Sequence, residues 1–388
     1  MSATRLADLG GALLVRPGRA RPHNLVSTRP ELTDMLTRGR PAAAVADILA
    51  SLYSLCGHAH RLCARRAVAA ASANVDTEPS DTGAALQQGT LREHLRRLWM
   101  DWPRQLAAAP RCAAFCDQAL GQLQHCPAFA APSFPAAPDQ GEAIPGLLHW
   151  LQQTVLRMPP DQWLAAWERD PRAWLLAWGR QSEGWMAELL REIQSIGDSA
   201  VPSRNLRAHA DAASLREIAD SLRCVAAFTR QPQWRNECAD TGPWSRLNQP
   251  AGMALDTPWL RLGARLAEAV RLALPDEPRR CGTQWLASGA LALGPGEGLA
   301  WVEMARGLLV HHVQLDGEGD DARIAACRVL APTEWNFHPQ GALAFALERL
   351  PSRVTPEVRR EVGVLMAAYD PCVPFEIEPA RQEETAHA

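Results

Sequence analysis

The sequence contains no lysine: all 40 of its Lys or Arg positions are arginine. Phosphate-binding loops, Schiff-base enzymes and protein kinases each depend on a lysine amine, so these classes are excluded. The formal net charge is only −3 over 388 residues. Because no strong field favours nucleic acid or an anionic membrane, no nucleic-acid partner is predicted.

Long apolar runs and paired cysteines are also missing. No stretch approaches about eighteen uninterrupted apolar residues, so no membrane span is predicted. The apolar part of the N-terminal segment, residues 11–15, is too short for a signal-peptide core. The 10 cysteines are scattered without a CxxC pair, which excludes a zinc ribbon or a ferredoxin-type cluster. We therefore expect a cytoplasmic protein with reduced thiols.

The apolar periodicity predicts a mainly α-helical protein with a small antiparallel β-sheet. A Val- and Leu-rich segment over 299–315, an acidic turn and a second apolar run over 324–330 indicate a hairpin. Helical spacing is found over 41–72, 90–107, 144–196, 210–228, 258–274, 339–349 and 355–368.

Local signals set the expected boundaries of these elements. Loops are predicted near 73–89 and 127–145, and a frayed tail over 380–388. Thr90 and Glu93 have the spacing of a capping box, which predicts that a helix begins at residue 90. Pro103 predicts a kink or an early end of that helix. Thr355 before Pro356 predicts the start of the last helix.

Three separated segments resemble the large subunit of nickel-iron hydrogenases. LYSLCGHAHRLCA, over 52–64, matches the Cys-Gly start of the family's Cys-Gly-x-Cys-x-x-x-His motif at Cys56 and Gly57. The second segment lies within 303–339, where EMARG is similar to the family's Glu-Ala-Pro-Arg-Gly block and APTEWN to its Pro-Thr-x-Trp-Asn block. The third segment is YDPC over 369–372, which is similar to the family's Asp-Pro-Cys-x-x-Cys motif. The resemblance implies a large-subunit-like fold in a single domain over 1–388.

The metal-binding motifs are incomplete here. In the family, the first cysteine of each pair binds nickel only, and these positions match Cys56 and Cys372. The second cysteines bridge nickel to iron, and they fall at Ala59 and Phe375, which cannot ligate a metal. The family's C-terminal histidine falls at Glu378, so the maturation protease has no recognisable site. The resemblance therefore predicts no stable two-metal site and no hydrogen turnover.

This pattern of retained and lost residues resembles the HupK/HoxV group of hydrogenase maturation proteins. The resemblance implies a non-catalytic scaffold that transiently carries iron with cyanide and carbon monoxide ligands on Cys56 and Cys372, and it does not favour nickel. The implied partners are a HypC-type chaperone with HypD and the hydrogenase large-subunit precursor. Arg306, Pro332 and Thr333 match the family residues beside the cyanide ligands, where guanidinium and hydroxyl groups donate hydrogen bonds.

Other side chains near the first motif are candidates for a further ligand or for its support. His60 and Cys63 follow Cys56 on the same face of the predicted helix, and the family histidine falls at Cys63. His311 and His312 are adjacent in a strand, point to opposite faces and are expected to be structural. Cys112 and Cys116, near His125 and Cys126, are better explained as buried helix cysteines than as cluster ligands.

Two alternatives to the iron carrier stay open at this point. One is a metal-free chaperone of a hydrogenase precursor, and the other is a divergent hydrogenase-like oxidoreductase. A shared iron requires that the sulfurs of Cys56 and Cys372 lie within roughly 4–5 Å, since metal–thiolate bonds are about 2.3 Å long. The fold must therefore bring together two residues from opposite ends of the chain.

Overall fold

The computed structural model describes residues 10–72, 82–130, 144–250, 252–275 and 285–378. Helices dominate these ranges and two small sheets accompany them, so the predicted class is confirmed. The α-helices are α1 Thr33–Thr37, α2 Val45–Leu52, α3 Gly57–Ala71, α4 Thr82–Arg96, α5 Trp102–Leu106, α6 Ala109–Leu123, α7 Pro127–Ala130, α8 Leu147–Leu151, α9 Pro160–Arg169, α10 Pro171–Gln181, α11 Trp185–Gly197, α12 Ala212–Cys224, α13 Pro258–Ala273, α14 Pro332–Asn336, α15 Ala342–Glu348 and α16 Pro356–Tyr369. The strands are β1 Leu13–Val15, β2 Leu25–Ser27, β3 Ser288–Gly294, β4 Glu297–Met304, β5 Gly307–Asp316, β6 Arg323–Leu330 and β7 Phe375–Ile377.

The larger sheet has four antiparallel strands in the order β3-β4-β5-β6. The predicted hairpin corresponds to β5 and β6, with Val313 opposite Cys327. The segment 299–315 is two strands, because the chain turns back between β4 and β5 at residues 305–306. Gly307 follows this turn with a φ of 132°, which favours glycine. This turn carries Arg306.

The smaller sheet joins the two ends of the described chain. Its order is β2-β1-β7, in which β1 pairs antiparallel with β2 and parallel with β7. Leu13 lies opposite Phe375. The sequence did not reveal these strands because each has only three residues, too few for an alternating pattern. The pairing anchors the segment that follows YDPC beside the N-terminal segment.

The helix predicted over 41–72 is wrong as a single element. Tyr53, with φ −105° and ψ 51°, ends α2, and a 3₁₀ turn over Ser54–Cys56 leads into α3. The two parts meet at a bend of 105°. A Cβ on Gly57 would lie 2.6 Å from the carbonyl oxygen of Ala50, so glycine lets α3 start directly against α2. The bend presents Cys56 at the N-terminus of α3.

The helix predicted from residue 90 starts earlier. α4 begins at Thr82, so the loop predicted over 73–89 is wrong from residue 82 onward, and 73–81 lie outside the described residues. Thr90 and Glu93 are buried inside α4 and form no capping box. Instead of capping a helix, Glu93 forms a buried ion pair with Arg306. The chain continues through a π-helical turn, Arg97–Asp101, into α5, which begins just before Pro103.

Other boundary predictions have mixed outcomes. Within the loop predicted over 127–145, Pro127–Ala130 is helical and 131–143 lie outside the described residues, as does the tail over 380–388. The cap at Thr355 is confirmed, since its hydroxyl accepts a hydrogen bond from Val358 N–H at 3.3 Å.

No single helix within the described ranges is both long and apolar enough to cross a bilayer. Among the described residues, one bent pair of helical segments, 42–52 and 54–71, is long and apolar enough when the two are counted together.

The core contains both tryptophans and charged groups. Trp163 and Trp167 stack with ring centroids 6.1 Å apart, and Trp178 meets Trp163 edge-on. These rings are buried and pack as ordinary core. α13 is buried along nearly its whole length, including Arg265 and Glu268. Since buried charges require partners, Arg265 and Glu268 belong to an ion-pair network that extends to Asp370 in the YDPC segment.

Gly298 in β4 gives the first testable prediction. A Cβ there would overlap the backbone of α3 at Ala67 and Ala71. We expect Gly298→Ala to lower the free energy of unfolding by about 1–3 kcal/mol, as overpacking does. Gly121→Ala is the matched control, because no atom lies within 4 Å of its Cβ position in α6. It should raise stability by up to about 1 kcal/mol through helix propensity. Urea unfolding measures both, and equal effects would contradict the packing argument.

Candidate functional site

Cys372 is held by the turn that follows α16. Asp370 ends this helix in the left-handed region, with φ 54°. Its carboxylate forms ion pairs with Arg265 at 3.0 Å, Arg97 at 3.1 Å and Arg306 at 3.4 Å. Burial opposes ionisation, but these arginines outweigh it and lower the pKa of Asp370 to about 2. The carboxylate thus fixes the YDPC turn through charge.

The structure brings Cys56 and Cys372 together. The Cys56 thiol donates a hydrogen bond to the Cys372 sulfur, and this bond is the main reason that the pKa of Cys372 lies well below its usual range. Arg306 and Arg29 add positive charge, and Thr333 Oγ1 donates at 3.1 Å. The same bond, with burial, raises the pKa of Cys56. Within the pair, Cys372 is therefore the group that favours the thiolate, and Cys56 is the group that favours the thiol.

Arg306 is fully buried between the sheet turn and the cysteines. Its Nη1 donates to Glu93, while Nε and Nη2 have no hydrogen-bond partner among the described residues. Burial opposes its charge, but Cys372, Glu93 and Asp370 outweigh burial and raise its pKa. Burial raises the pKa of Glu93 to about 7, against the attraction of Arg306. Since Nε lies 3.4 Å from Asp370 Oδ2, Nη2 is the buried donor of Arg306 that lacks both a hydrogen bond and an ion pair among the described residues.

The block around α14 links the turn to the cysteines. Pro332 begins the helix, and Thr333 then contacts Cys372. Asn336 Nδ2 donates to the backbone carbonyls of Thr241 at 2.8 Å, Arg306 at 3.4 Å and Tyr369 at 3.4 Å. This side-chain amide connects three segments that surround the site. The sequence did not indicate this role of Asn336, because its partners are distant along the chain.

No local feature of the sequence indicated a role for Arg29 or Glu334. Arg29 Nη1 pairs with Glu334 Oε1 at 3.2 Å, and its guanidinium lies over the Tyr53 ring at 5.2 Å. Burial opposes the charge of Arg29, but Cys372 foremost and then Tyr53 and Glu334 raise its pKa. Burial raises the pKa of Glu334 to about 7. A second arginine therefore lies within electrostatic reach of the thiolate.

His60 and Cys63 both contact the larger sheet. His60 Nδ1 lies 3.0 Å from His311 Nε2, and the ring stacks on Tyr53. Burial and the neighbouring His311 lower the pKa of His60. The Cys63 thiol donates to the Ala300 carbonyl at 3.4 Å, and burial raises its pKa. Both contact the sheet, and no described contact joins either to Cys56 or Cys372.

The remaining candidates are structural. His312 Nε2 lies 2.5 Å from Glu297 Oε1, on the opposite side of β5 from the His311–His60 contact. Within the described ranges, no three His, Cys, Asp or Glu side chains converge as metal ligands. That finding includes Cys112 and Cys116, which lie in α6 as expected but are half-buried and not buried. Ala59 is fully buried in α3, and Phe375 pairs within β7. The two bridging positions therefore supply no ligand.

No family model matches the chain. It is 40% identical to the hydrogenase expression/formation protein HoxV of Cupriavidus necator over 99% of this chain and 100% of that protein. The chain belongs to the HoxV/HupK family of hydrogenase expression/formation proteins. A second HoxV/HupK relative, HupK of Rhizobium leguminosarum, is 30% identical over 90% of each chain.

Solved structures show that the HoxV/HupK chain has the fold of nickel-iron hydrogenase large subunits. The Ni-Fe-Se hydrogenase of D. vulgaris Hildenborough matches with a TM-score of 0.54 at 13% identity, over 92% of this chain and 93% of that one. An NAD+-reducing [NiFe]-hydrogenase matches with a TM-score of 0.51 at 16% identity, over 90% and 91%. The predicted resemblance and fold are therefore confirmed.

The contact between Cys56 and Cys372 gives the second prediction. Cys56→Ala removes the donor to Cys372, so the pKa of Cys372 should rise, because a hydrogen bond to the charged form stabilises the thiolate. Cys56→Ser keeps a donor and should produce a smaller rise. The measurement is the pH dependence of iodoacetamide alkylation at Cys372, followed by mass spectrometry. Identical profiles for both variants and the wild type would contradict the assignment.

Proposed function

We propose that this chain is a non-catalytic assembly scaffold for nickel-iron hydrogenase. It transiently carries iron with its cyanide and carbon monoxide ligands on Cys56 and Cys372 and passes it toward the large subunit. The observation that carries the proposal is the contact between buried Cys56 and half-buried Cys372, with opposite pKa shifts, near a buried arginine whose Nη2 has no partner among the described residues. The names of the HoxV/HupK relatives support a role in hydrogenase maturation.

The residues at the site suit such a cargo. The Cys372 thiolate is a soft, strongly donating ligand of the kind that low-spin iron prefers. Cyanide nitrogens carry negative charge and accept hydrogen bonds, and Nη2 of Arg306 is a buried donor without a partner. Thr333 supplies a hydroxyl beside the same sulfur. We therefore propose Arg306 and Thr333 as cyanide contacts, with Pro332 shaping the start of their helix.

Binding of iron to Cys56 would require that its thiol lose its proton. When Cys56 binds iron, its thiol proton leaves, since the thiolate is the metal ligand. Rebinding that proton on release restores the hydrogen bond to Cys372. Without the bridging sulfurs of the complete hydrogenase motifs, the fragment would not be held in a two-metal site, which suits a carrier. Nickel is not proposed, because Ala59 and Phe375 offer no bridging sulfur.

The partners follow from the same proposal. A HypC-type chaperone with HypD would supply the fragment, and the large-subunit precursor would receive it. Reduced cysteines fit a cytoplasmic setting, and the described cysteines are all free of disulfides. A metal-free chaperone would need neither the thiolate nor the unused arginine donors, and a divergent oxidoreductase would need ligands that His60 and Cys63 do not provide.

Infrared spectroscopy tests the carrier directly. Protein purified anaerobically after expression with the maturation machinery should show cyanide and carbon monoxide stretching bands. Cys56→Ala and Cys372→Ala should lose the bands and abolish maturation of the hydrogenase, while stability falls by only about 1 kcal/mol. Cys63→Ala is the matched control, because that buried thiol bonds to the Ala300 carbonyl instead, and it should keep the bands. Bands that persist in both pair variants would refute the assignment.

Hydrogen turnover separates the scaffold from the oxidoreductase. We expect no hydrogen-dependent dye reduction by the isolated chain, even after anaerobic reconstitution with iron and nickel, because both bridging thiolates are missing. The background is the same metals without protein. Turnover above that background, lost in Cys56→Ala, would establish the enzyme instead.

A further inference from the structure

Cys56 and Cys372 are two free thiols whose side chains are in contact. Neither lies within an α-helix or a strand. Cys56 ends the 3₁₀ turn Ser54–Cys56 before α3, and Cys372 lies in the turn between α16 and β7. The two sulfurs therefore belong to separate segments that only the fold brings together, and their contact allows chemistry that involves no metal.

We propose that Cys56 and Cys372 form a reversible disulfide when the protein without iron meets a hydroperoxide, and that this bond closes the pair to iron. The inference deepens the proposed function, because it names a regulation of the same two sulfurs. Only the consequence for iron rests on that function. In a disulfide neither sulfur is a thiolate, and the thiolate is the form that binds metal. Iron would therefore bind only after the disulfide is reduced.

The fold holds both segments in place from opposite sides. On the Cys372 side, Arg97 Nη2 donates to the carbonyl of Pro371, the residue before the cysteine, at 2.9 Å, and Arg97 Nε lies 3.1 Å from Asp370 Oδ1. On the other side, the bend before Gly57 presents Cys56. A disulfide is short, with sulfurs about 2.05 Å apart. Bond formation thus starts from sulfurs that are already in contact and anchored by their own segments.

Cys112 and Cys116 are a second pair of contacting thiols, and they show that contact alone is not enough. Both lie one turn apart in α6. Side chains at this spacing have Cβ atoms about 5–6 Å apart, whereas a disulfide requires about 3.5–4.5 Å. A helix does not bring them nearer unless its own hydrogen bonds break. Cys56 and Cys372 are not subject to this restraint, because no single helix contains both.

The surroundings of the pair indicate which sulfur is oxidised first. Cys372 is half-buried whereas Cys56 is buried, so a small hydroperoxide reaches Cys372 more readily. Thr333 Oγ1 donates to the Cys372 sulfur at 3.1 Å, and Arg306 and Arg29 add positive charge. Partly exposed cysteines in positively charged surroundings are the ones that oxidise selectively. Cys56 then acts as the resolving thiol.

The oxidation proceeds in two balanced steps. The Cys372 thiolate attacks one oxygen of hydrogen peroxide, the O–O bond breaks, a sulfenic acid forms and hydroxide leaves. The Cys56 sulfur then attacks the Cys372 sulfur, the S–O bond breaks, and the oxygen departs as water with the proton of the Cys56 thiol. The two sulfurs lose two electrons in total, and the peroxide gains them. A dithiol reductant reverses the bond by thiol–disulfide exchange.

The disulfide can be tested on the reduced full chain, expressed without the maturation machinery. After treatment with hydrogen peroxide, non-reducing electrophoresis should show a faster band, because the bond closes a loop between segments near the two ends of the chain. Dithiothreitol should restore the original band. Peptide mapping by mass spectrometry should find Cys56 joined to Cys372.

Four variants identify the sulfurs that react. Cys56→Ser and Cys372→Ser should each lose the faster band. In Cys56→Ser, the Cys372 sulfur should proceed to sulfinic acid, because no thiol resolves its sulfenic acid. Two matched controls should keep the band: Cys63→Ala, at a buried thiol that donates to the Ala300 carbonyl, and Cys112→Ser, in the helical thiol pair.

Two results would overturn the disulfide. Sulfinic acid at Cys372 that accumulates equally in the wild type and in Cys56→Ser would mean that Cys56 does not resolve it. A faster band that persists in Cys56→Ser, or a disulfide that maps to other cysteines, would place the reactive pair elsewhere.

Infrared spectroscopy separates this inference from the proposed function. Oxidised protein incubated with the maturation machinery should acquire no cyanide or carbon monoxide bands, and reduction beforehand should restore them. Bands acquired by the oxidised protein would show that the disulfide does not close the site. If the reduced protein never acquires bands, the proposed function fails, whereas electrophoresis and peptide mapping still decide whether the disulfide forms.

Discussion

The ion-pair cluster around Arg306 and Asp370 is the constraint on which the site depends. A buried charge without a partner costs several kcal/mol (order of magnitude), so each member of the cluster fixes the others. Asp370 binds three arginines from different helices and from the sheet turn. Arg306 joins Glu93 in α4 to this carboxylate. The cluster also affects Cys372, because the positive charge of Arg306 helps to lower the pKa of this thiol.

Backbone pairing complements the charges. The chain enters β1 near one end of the described sequence and returns in β7 at the other, and the parallel pairing of these strands fixes the segment after Cys372. At the opposite side of the site, the bend before Gly57 aims Cys56 at that segment. Asn336 then ties the sheet turn, α14 and the end of α16 through carbonyl groups. Two cysteines remote in sequence therefore meet in a rigid frame.

The HoxV/HupK chain keeps the scaffold of a hydrogenase large subunit while its binding site is reduced. The fold and the arginine turn remain, whereas Ala59 and Phe375 replace sulfur. In the function proposed above, this scaffold would hold the iron fragment only for a time, because no bridging sulfur would fix it in a two-metal site.

The sequence alone determined the helical class, the antiparallel hairpin, the family resemblance and the two cysteines, because these depend on local periodicity and on short motifs. Tertiary structure decided the rest. Glu93 has the spacing of a capping residue, yet burial opposite Arg306 gives it another role, and His60 lies on the helix face of Cys56 but stacks on Tyr53. Arg29 carries no local signal. Ionisation and ligand access depend on which charges and surfaces meet across the fold, and sequence separation does not encode that.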